Sequence, residues 1–330
     1  MAIRVAINGF GRIGRMILRA GWNNPDFEFV HINDLTSDDM LAYLLHRDSV
    51  HGTWGTKIAA VPGGIEIDGK LVATSSERDA TKLPWAGIDV VLECTGVFTD
   101  GKKAKAHLDA GARKVVISAP GKNVDGTFVI GVNDGGLDPV NHRIVSNGSC
   151  TTNCLAPMAM VLQQLVGIER GLMTTIHSYT MDQNLLDAPH EKFRRARAAA
   201  LNMVPTSTGA AAAIGLVLPE LAGKLDGFAI RVPTPNVSLV DLTFDAGRAT
   251  SVEEINQALR DAAKGSLAGI LEATDEEIVS GDVNGNPASS VVDLSLTMVV
   301  GGTLVKVYSW YDNEWGFSNR MLDLARKIAG

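Results

Sequence analysis

The sequence has 330 residues, 45% of them hydrophobic, and a formal net charge of -7. That length exceeds what a single core usually supports, so two domains are expected, and the acidic balance argues against nonspecific nucleic-acid binding. Three cysteines, an odd number, give no disulfide framework and point to a reducing compartment.

The first element, Arg4–Asn8, reads as a buried strand, and nothing around it has a signal-peptide layout. Gly9-Phe10-Gly11-Arg12-Ile13-Gly14 follows at once, and Arg15–Ala20 reads as a helix. A G-x-G-x-x-G run between strand and helix is the dinucleotide fingerprint in its required context. Gly9 permits the tight turn, Gly11 lets a pyrophosphate approach the backbone, and Gly14 allows close helix–strand packing. The pyrophosphate belongs at the helix N-terminus. A second strand, Phe29–Asn33, ends in Asp34, twenty residues after Gly14. A carboxylate there accepts from both adenine-ribose hydroxyls and repels a 2′-phosphate. The short apolar runs Asp89–Gly96 and Lys114–Pro120 extend the reading to an open parallel sheet. Thr95, Gly96 and Ser118, at carboxyl ends of strands, are expected to line the cofactor cleft. Cys94, in one of these runs, reads as a core residue.

Ser146–Cys154 is a small polar loop that delivers Cys150 to the start of a helix reaching Leu165. Unpaired N–H groups and the helix dipole at that position favour thiolate over thiol. Pro157 lies inside this helix and is expected to kink it or confine it to a turn or two. By itself the loop fits a hydrolase nucleophile, a redox-sensing thiol or a structural cysteine; Cys154, one turn further on, reads as packing. Met173–Thr180 is an alternating strand carrying His177, the residue type that takes and returns a thiol proton. An irregular basic segment, Asp187–Arg197, follows. Pro205–Gly209 then offers hydroxyls and N–H groups at the start of a helix over Ala210–Leu216, a natural anion site. Arg231 is a charge inside an apolar strand, where charges are paired or face a ligand. The longest apolar stretch, 209–218, is too short to span a bilayer, so no membrane association and a cytoplasmic location are expected.

These segments, with Arg231–Thr243 and Ser309-Trp310-Tyr311-Asp312-Asn313-Glu314-Trp315-Gly316, resemble the phosphorylating glyceraldehyde-3-phosphate dehydrogenases over essentially the whole chain. The Ser-Cys-Thr-Thr-Asn core at 149–153 is the most specific match. The resemblance implies an α/β Rossmann dinucleotide-binding domain at 1–148, completed by a C-terminal helix within 313–330. It implies an α+β catalytic domain with a mostly antiparallel sheet at 149–312. The implied activity is the glycolytic and gluconeogenic, NAD-dependent oxidation and phosphorylation of D-glyceraldehyde 3-phosphate to 1,3-bisphosphoglycerate. In that chemistry Cys150 forms a thiohemiacetal and then a thioester, with His177 as acid and base.

By the same resemblance, NAD is held by Gly9, Gly11, Arg12, Ile13, Asp34, Arg78, Thr95, Gly96, Ser118 and Asn313, and no metal is expected. Thr180, Arg195 and Arg231 hold the substrate phosphate; Ser149, Thr151, Thr208 and Gly209 hold inorganic phosphate. The segment Tyr179–Leu201 is similar to a loop that reaches a neighbouring subunit's cofactor site in a homotetramer. Four positions depart from the family pattern: Gly148 for alanine, Phe317 for tyrosine, Ala212 for lysine, and Ala188 before Pro189. Asp34 and Pro189 favour NAD, while Ala188 leaves NADP use open. The alternatives are an erythrose-4-phosphate dehydrogenase and a non-catalytic NAD-binding redox sensor.

Overall fold

The glycine run that should turn a strand into a helix does so. In a computed structural model, which describes residues 1–330 apart from the side chain of Ala212, β1 (Ile3–Asn8) passes through Gly9 into α1 (Arg12–Gly21). One compact unit comprises Met1–Phe128, Asp134–Gly148 and Ser318–Gly330. After α1 it contains β2 (Phe27–Asn33), α2 (Asp38–His46), β3 (Ile58–Val61), β4 (Gly64–Ile67) and β5 (Lys70–Ser75). It continues with β6 (Val90–Glu93), α3 (Gly101–Asp109), β7 (Lys114–Ile117), β8 (Gly126–Thr127) and β9 (Ile144–Ser146).

The sheet order is β3-β4-β5-β2-β1-β6-β7-β9-β8, parallel except for the antiparallel β3–β4 and β4–β5 pairs. β1 lies between β2 and β6, so the chain order reverses there and opens a crevice beyond its carboxyl end. Val5, Ala6, Ile7, Val90, Val91 and Leu92 are all 0% exposed, the continuous apolar pattern of strands covered on both faces. The C-terminal helix (Trp315–Ala329), from Ser318 onward, also belongs to this unit: Arg326 Nε pairs with Asp26 at 2.8 Å.

The second unit comprises Val129–Asn133 and Ser149–Phe317, so residues 313–317, read from the sequence as part of the nucleotide-binding half, fall here. Its helices are α4 (Cys150–Val166), α5 (Ala210–Val217) and α6 (Val252–Lys264). Its strands are β10 (Ile168–Ser178), β11 (Val204–Thr206), β12 (Leu225–Val232), β13 (Ser238–Ala246), β14 (Leu271–Thr274), β15 (Ser290–Asp293), β16 (Met298–Val300) and β17 (Leu304–Tyr311). The order β11-β12-β10-β13-β17-β15-β14, with β16 on β17, is mostly antiparallel; β10–β12 and β14–β15 are the parallel pairs. Strict alternation along β13 aims Val240, Leu242 and Phe244 at a core shared with Leu155, Leu162, Ile214 and Ile255 of the three helices. The opposite face leaves Leu172, Phe228 and Leu304 exposed.

α4 runs unbroken for seventeen residues through Pro157, so the expectation that the proline would confine it to its first turns is corrected. An interior proline costs about 3 kcal/mol. Around it Cys154, Leu155, Ala156, Met158 and Ala159 are all 0% exposed. Each large apolar side chain so buried returns about 1.5–3 kcal/mol, which outweighs one missing hydrogen bond. Among the described residues no helix is long and apolar enough to cross a membrane.

Candidate active site

Ser149 is the N-cap of α4, its Oγ accepting from Thr152 N–H at 3.0 Å, and this places Cys150 at the first helical position. Gly148, at φ +66°, supplies the left-handed residue that turns the chain into the cap. His177 stands near the end of β10 with its side chain on the same face as Thr175, two residues back. Its Nε2 lies 3.6 Å from Cys150 Sγ.

His177 Nδ1 lies 2.7 Å from the carbonyl oxygen of Ser178. A carbonyl only accepts, so Nδ1 carries the proton and Nε2 presents its lone pair to the thiol. The ring also packs edge-on against Tyr311, with centroids 5.9 Å apart. Tyr311 is 1% exposed and its hydroxyl bonds Thr151 Oγ1 at 2.8 Å and Thr175 Oγ1 at 3.0 Å, tying α4, β10 and β17 together around the cysteine.

Burial pushes the Cys150 thiol up, outweighing the Arg231 charge and the hydrogen bonds from Thr151. The expectation of a resting thiolate is therefore corrected: desolvation exceeds what the helix start supplies. Burial, then Arg231, holds His177 down at about 3. The resting pair is thiol and neutral imidazole. Proton transfer creates both charges together, and their attraction across the pair offsets a cost that neither group meets alone.

Strand register brings the candidate phosphate ligands together: His177 pairs with Arg231 across β10 and β12, and Arg231 with Val204 across β12 and β11. Arg231 Nη1 donates to Thr180 Oγ1 at 2.5 Å, and Arg195 Nε donates to Thr206 Oγ1 at 3.0 Å. Both guanidiniums converge on Asp182, which Arg195 and the Thr180 hydroxyl contact directly, with Arg231 at 3.8 Å. Burial raises the Asp182 carboxyl, but Thr180 and the two arginines outweigh it and hold it below the usual range. Thr180, Arg195 and Arg231 thus form a cradle already holding a carboxylate.

The second candidate anion set is less gathered. Thr151 Oγ1 is committed to Tyr311, Ser149 Oγ bonds Thr152, and Thr208 Oγ1 accepts from Ala210 N–H at 3.2 Å beside Gly209, the N-cap of α5. No hydrogen bond joins Thr208 or Gly209 to Ser149 or Thr151 among the described residues. The side chain at 212 lies outside them. Phe317 is 5% exposed. Asn313 Oδ1 accepts from Ser178 Oγ and Ser238 Oγ, both at 2.9 Å, which orients the amide; among the described residues no acceptor meets its Nδ2.

In the first unit the cofactor candidates sit at carboxyl ends of parallel strands. Gly9 has φ +91°, and a Cβ there would lie 2.6 Å from Thr95 N; a Cβ on Gly14 would lie 2.4 Å from Gly9 O. A Cβ on Gly11, the N-cap of α1, meets nothing within 4 Å, which leaves the helix start open to a ligand. Asp34 Oδ2 accepts from Phe10 N–H at 2.7 Å, holding the acid against the turn. The Arg12 guanidinium forks onto Asp48 at 2.8 and 3.1 Å. Ile13 and Ser118 are partly buried; Thr95, Gly96 and Arg78 are exposed.

Sequence reasoning did not select Asp182, Tyr311, Ser178 or Ser238. The signals present were an acid beside a basic segment and hydroxyls within strands.

The chain matches the family described as glyceraldehyde 3-phosphate dehydrogenase, NAD binding domain, over residues 3–101, and its C-terminal domain over residues 149–313. It is 56% identical to glyceraldehyde-3-phosphate dehydrogenase 1 of Bacillus subtilis, over 100% of this chain and 99% of that protein. It is 54% identical to glyceraldehyde-3-phosphate dehydrogenase of Geobacillus stearothermophilus at the same coverage. It is 55% identical to the plasmid-borne glyceraldehyde-3-phosphate dehydrogenase of Cupriavidus necator, again over 100% and 99%. With a nucleotide-binding sheet, a cysteine–histidine pair and an arginine cradle all in one sequence that these matches span end to end, the chain belongs to the glyceraldehyde-3-phosphate dehydrogenase family.

Proposed function

We propose that this chain oxidises and phosphorylates D-glyceraldehyde 3-phosphate to 1,3-bisphosphoglycerate with NAD, as a glycolytic and gluconeogenic enzyme. The observation that carries the reading is Cys150 Sγ meeting the unprotonated Nε2 of His177 beside the Thr180–Arg195–Arg231 cradle. His177 Nε2 takes the thiol proton as Sγ attacks the aldehyde carbon, forming a thiohemiacetal. The imidazolium and the Cys150 backbone N–H stabilise the oxyanion, and the imidazolium then gives its proton to that oxygen, leaving a thiohemiacetal hydroxyl and a neutral His177. NAD, when bound, supplies the hydride acceptor for the aldehyde carbon. His177 accepts the hydroxyl proton as the carbonyl re-forms, leaving the acyl group on Sγ as a thioester. Phosphate oxygen then attacks that carbonyl and Sγ leaves as thiolate, which His177 reprotonates.

The open helix start at Gly11 and the close-packed Gly9 and Gly14 fit a dinucleotide. Gly9, Gly11, Arg12, Ile13, Asp34, Arg78, Thr95, Gly96 and Ser118 hold NAD in this reading, and the free amide hydrogens of Asn313 bind its carboxamide. Thr180, Arg195 and Arg231 hold the substrate phosphate after Asp182 yields; Ser149, Thr151, Thr208 and Gly209 hold the attacking phosphate.

The enzyme acts as a homotetramer. Met181, Leu185, Leu186, Phe193 and Leu201 are each more than 70% exposed in one segment, an apolar surface that suits another subunit. A cytoplasmic location suits its three free cysteines. The test is NAD reduction followed with glyceraldehyde 3-phosphate, with and without phosphate or arsenate, in the wild type and Cys150→Ala. Turnover that continues unchanged without either oxyanion overturns the phosphorolysis step.

A further inference from the structure

Beneath the carboxyl ends of β5, β2, β1 and β6 runs a continuous line of polar side chains that the chemistry above does not use. Ser75 Oγ donates to Asn33 Oδ1 at 2.8 Å, Asn33 Nδ2 donates to Asn8 Oδ1 at 2.8 Å, and Asn8 Nδ2 donates to Glu93 Oε2 at 2.6 Å. Asn33 also accepts from the Glu77 N–H and donates to the Glu77 carbonyl, both at 2.9 Å, which fixes the direction of its amide.

From the other side, His107 Nε2 lies 2.9 Å from the same Glu93 oxygen, and Trp85 Nε1 lies 2.9 Å from His107 Nδ1. An indole N–H only donates, so Nδ1 accepts and the ring's proton on Nε2 is aimed at Glu93. The Thr95 N–H donates to Glu93 Oε1 at 2.8 Å, and the Thr95 hydroxyl donates to it as well. Glu93 is 1% exposed and, in these contacts, faces only donors.

The line is placed where it matters for a ligand. Asn8 immediately precedes Gly9, Asn33 precedes Asp34, Glu77 precedes Arg78, and Glu93 grips Thr95. Thr95 N is the atom that a Cβ on Gly9 would strike. We propose that Glu93 is a positioning residue for dinucleotide binding: its carboxylate clamps the Asn8–Gly9 turn against the Thr95–Gly96 turn. Through Asn8 and Asn33 it also sets the register of Asp34. The proposal rests on the reading of this unit as the NAD site, and it assigns the clamp to a side chain that touches no cofactor.

Glu93→Gln puts an NH₂ donor where every neighbour donates, so one end of the side chain loses its partners whichever way the amide turns. The experiment is calorimetric titration of NAD and of ADP-ribose into the full chain, with the KM for each substrate, kcat and the rate of Cys150 alkylation by iodoacetamide. Glu93→Gln is expected to weaken NAD and ADP-ribose alike, by roughly five- to fifty-fold. The aldehyde KM, saturating kcat and the alkylation rate stay near wild type.

His107→Leu removes one donor from a helix outside the cofactor set and gives a smaller loss; His107→Gln, whose amide restores a donor, recovers affinity. A folded Glu93→Gln that binds ADP-ribose as tightly as wild type overturns the proposal. If Glu93→Gln does not fold, the His107 pair decides it: His107→Leu that loses only thermal stability, with affinity intact, overturns it equally. Failure of the wild type to bind either nucleotide would instead overturn the NAD reading itself.

Discussion

Replacing His177 by asparagine removes the only base within reach of Cys150 Sγ among the described residues. At the 3.6 Å separation, unit charges created by moving the thiol proton to Nε2 attract by about 4.6 kcal/mol at an effective dielectric of about 20. Without Nε2 the proton must leave to water and that attraction is forfeited, on the order of a thousand-fold in rate at about 1.4 kcal/mol per tenfold. This lies inside the roughly 10²–10⁴ range of general-base assistance. The assay is kcat/KM for NAD reduction, paired with alkylation by iodoacetamide, a neutral reagent that the nearby arginines do not attract. Both fall in His177→Asn, and alkylation then climbs with pH until the isolated, burial-raised thiol ionises. A variant that keeps the wild-type kcat/KM and the wild-type alkylation profile refutes the coupling.

Asp182→Asn removes the carboxylate that Arg195 and Arg231 now hold; because Asp182 is part-exposed, solvent screening limits the pair to about 1 kcal/mol. Sulfate or phosphate should therefore bind roughly two- to five-fold tighter by titration, and weaker binding would contradict a competing acid. Tyr311→Phe strips the buried Thr151 and Thr175 hydroxyls of a shared partner and is expected to destabilise by about 1–3 kcal/mol in urea denaturation. An unchanged midpoint would count against that bracing.

His177 also gives a sign to the pH dependence of stability. Its folded value, about 3, lies below the ordinary 6.5, so between those limits the unfolded chain binds a proton that the folded chain does not. The contribution of His177 to stability is full above pH 6.5 and falls as the pH drops toward 3. His177→Asn should flatten part of that slope between pH 7 and 5; an identical slope would argue that other groups dominate.

The nucleotide-binding turn was legible in the sequence because its constraints are local. Gly9 needs a positive φ, and both Gly9 and Gly14 stand where any Cβ would strike backbone. The hairpin between β4 and β5 had a local mark too, Asp68-Gly69 with φ +49° and +79°, but a mark for a turn says nothing about which edge the strands extend. The length of α4 was not legible, because the cost of Pro157 is local while the burial that outweighs it comes from strands far along the chain. His177 could be named as a base from its residue type; its place beside Cys150 depends on how β10 packs on α4. Asp182 was least accessible, since its partners approach from β12 and from a loop, and nothing near Thr180 in the sequence declares that an acid will settle between two arginines. The thiol's resting protonation was misjudged for the same reason: the helix start is written in the loop, but desolvation belongs to the assembled core.

The first unit takes its final segment, Ser318–Gly330, from the last residues of the sequence, and the second unit borrows Val129–Asn133 from the first half. The backbone therefore passes from one unit to the other four times, and no single cut separates them. During synthesis the nucleotide-binding sheet emerges first but lacks the helix that anchors Arg326 on Asp26 until translation is nearly finished. The two halves thus reach completion together rather than in sequence. An N-terminal fragment ending at Gly148 would leave a sheet with one flank of its core open to water, a species for chaperones to shield rather than an independent nucleotide-binding module.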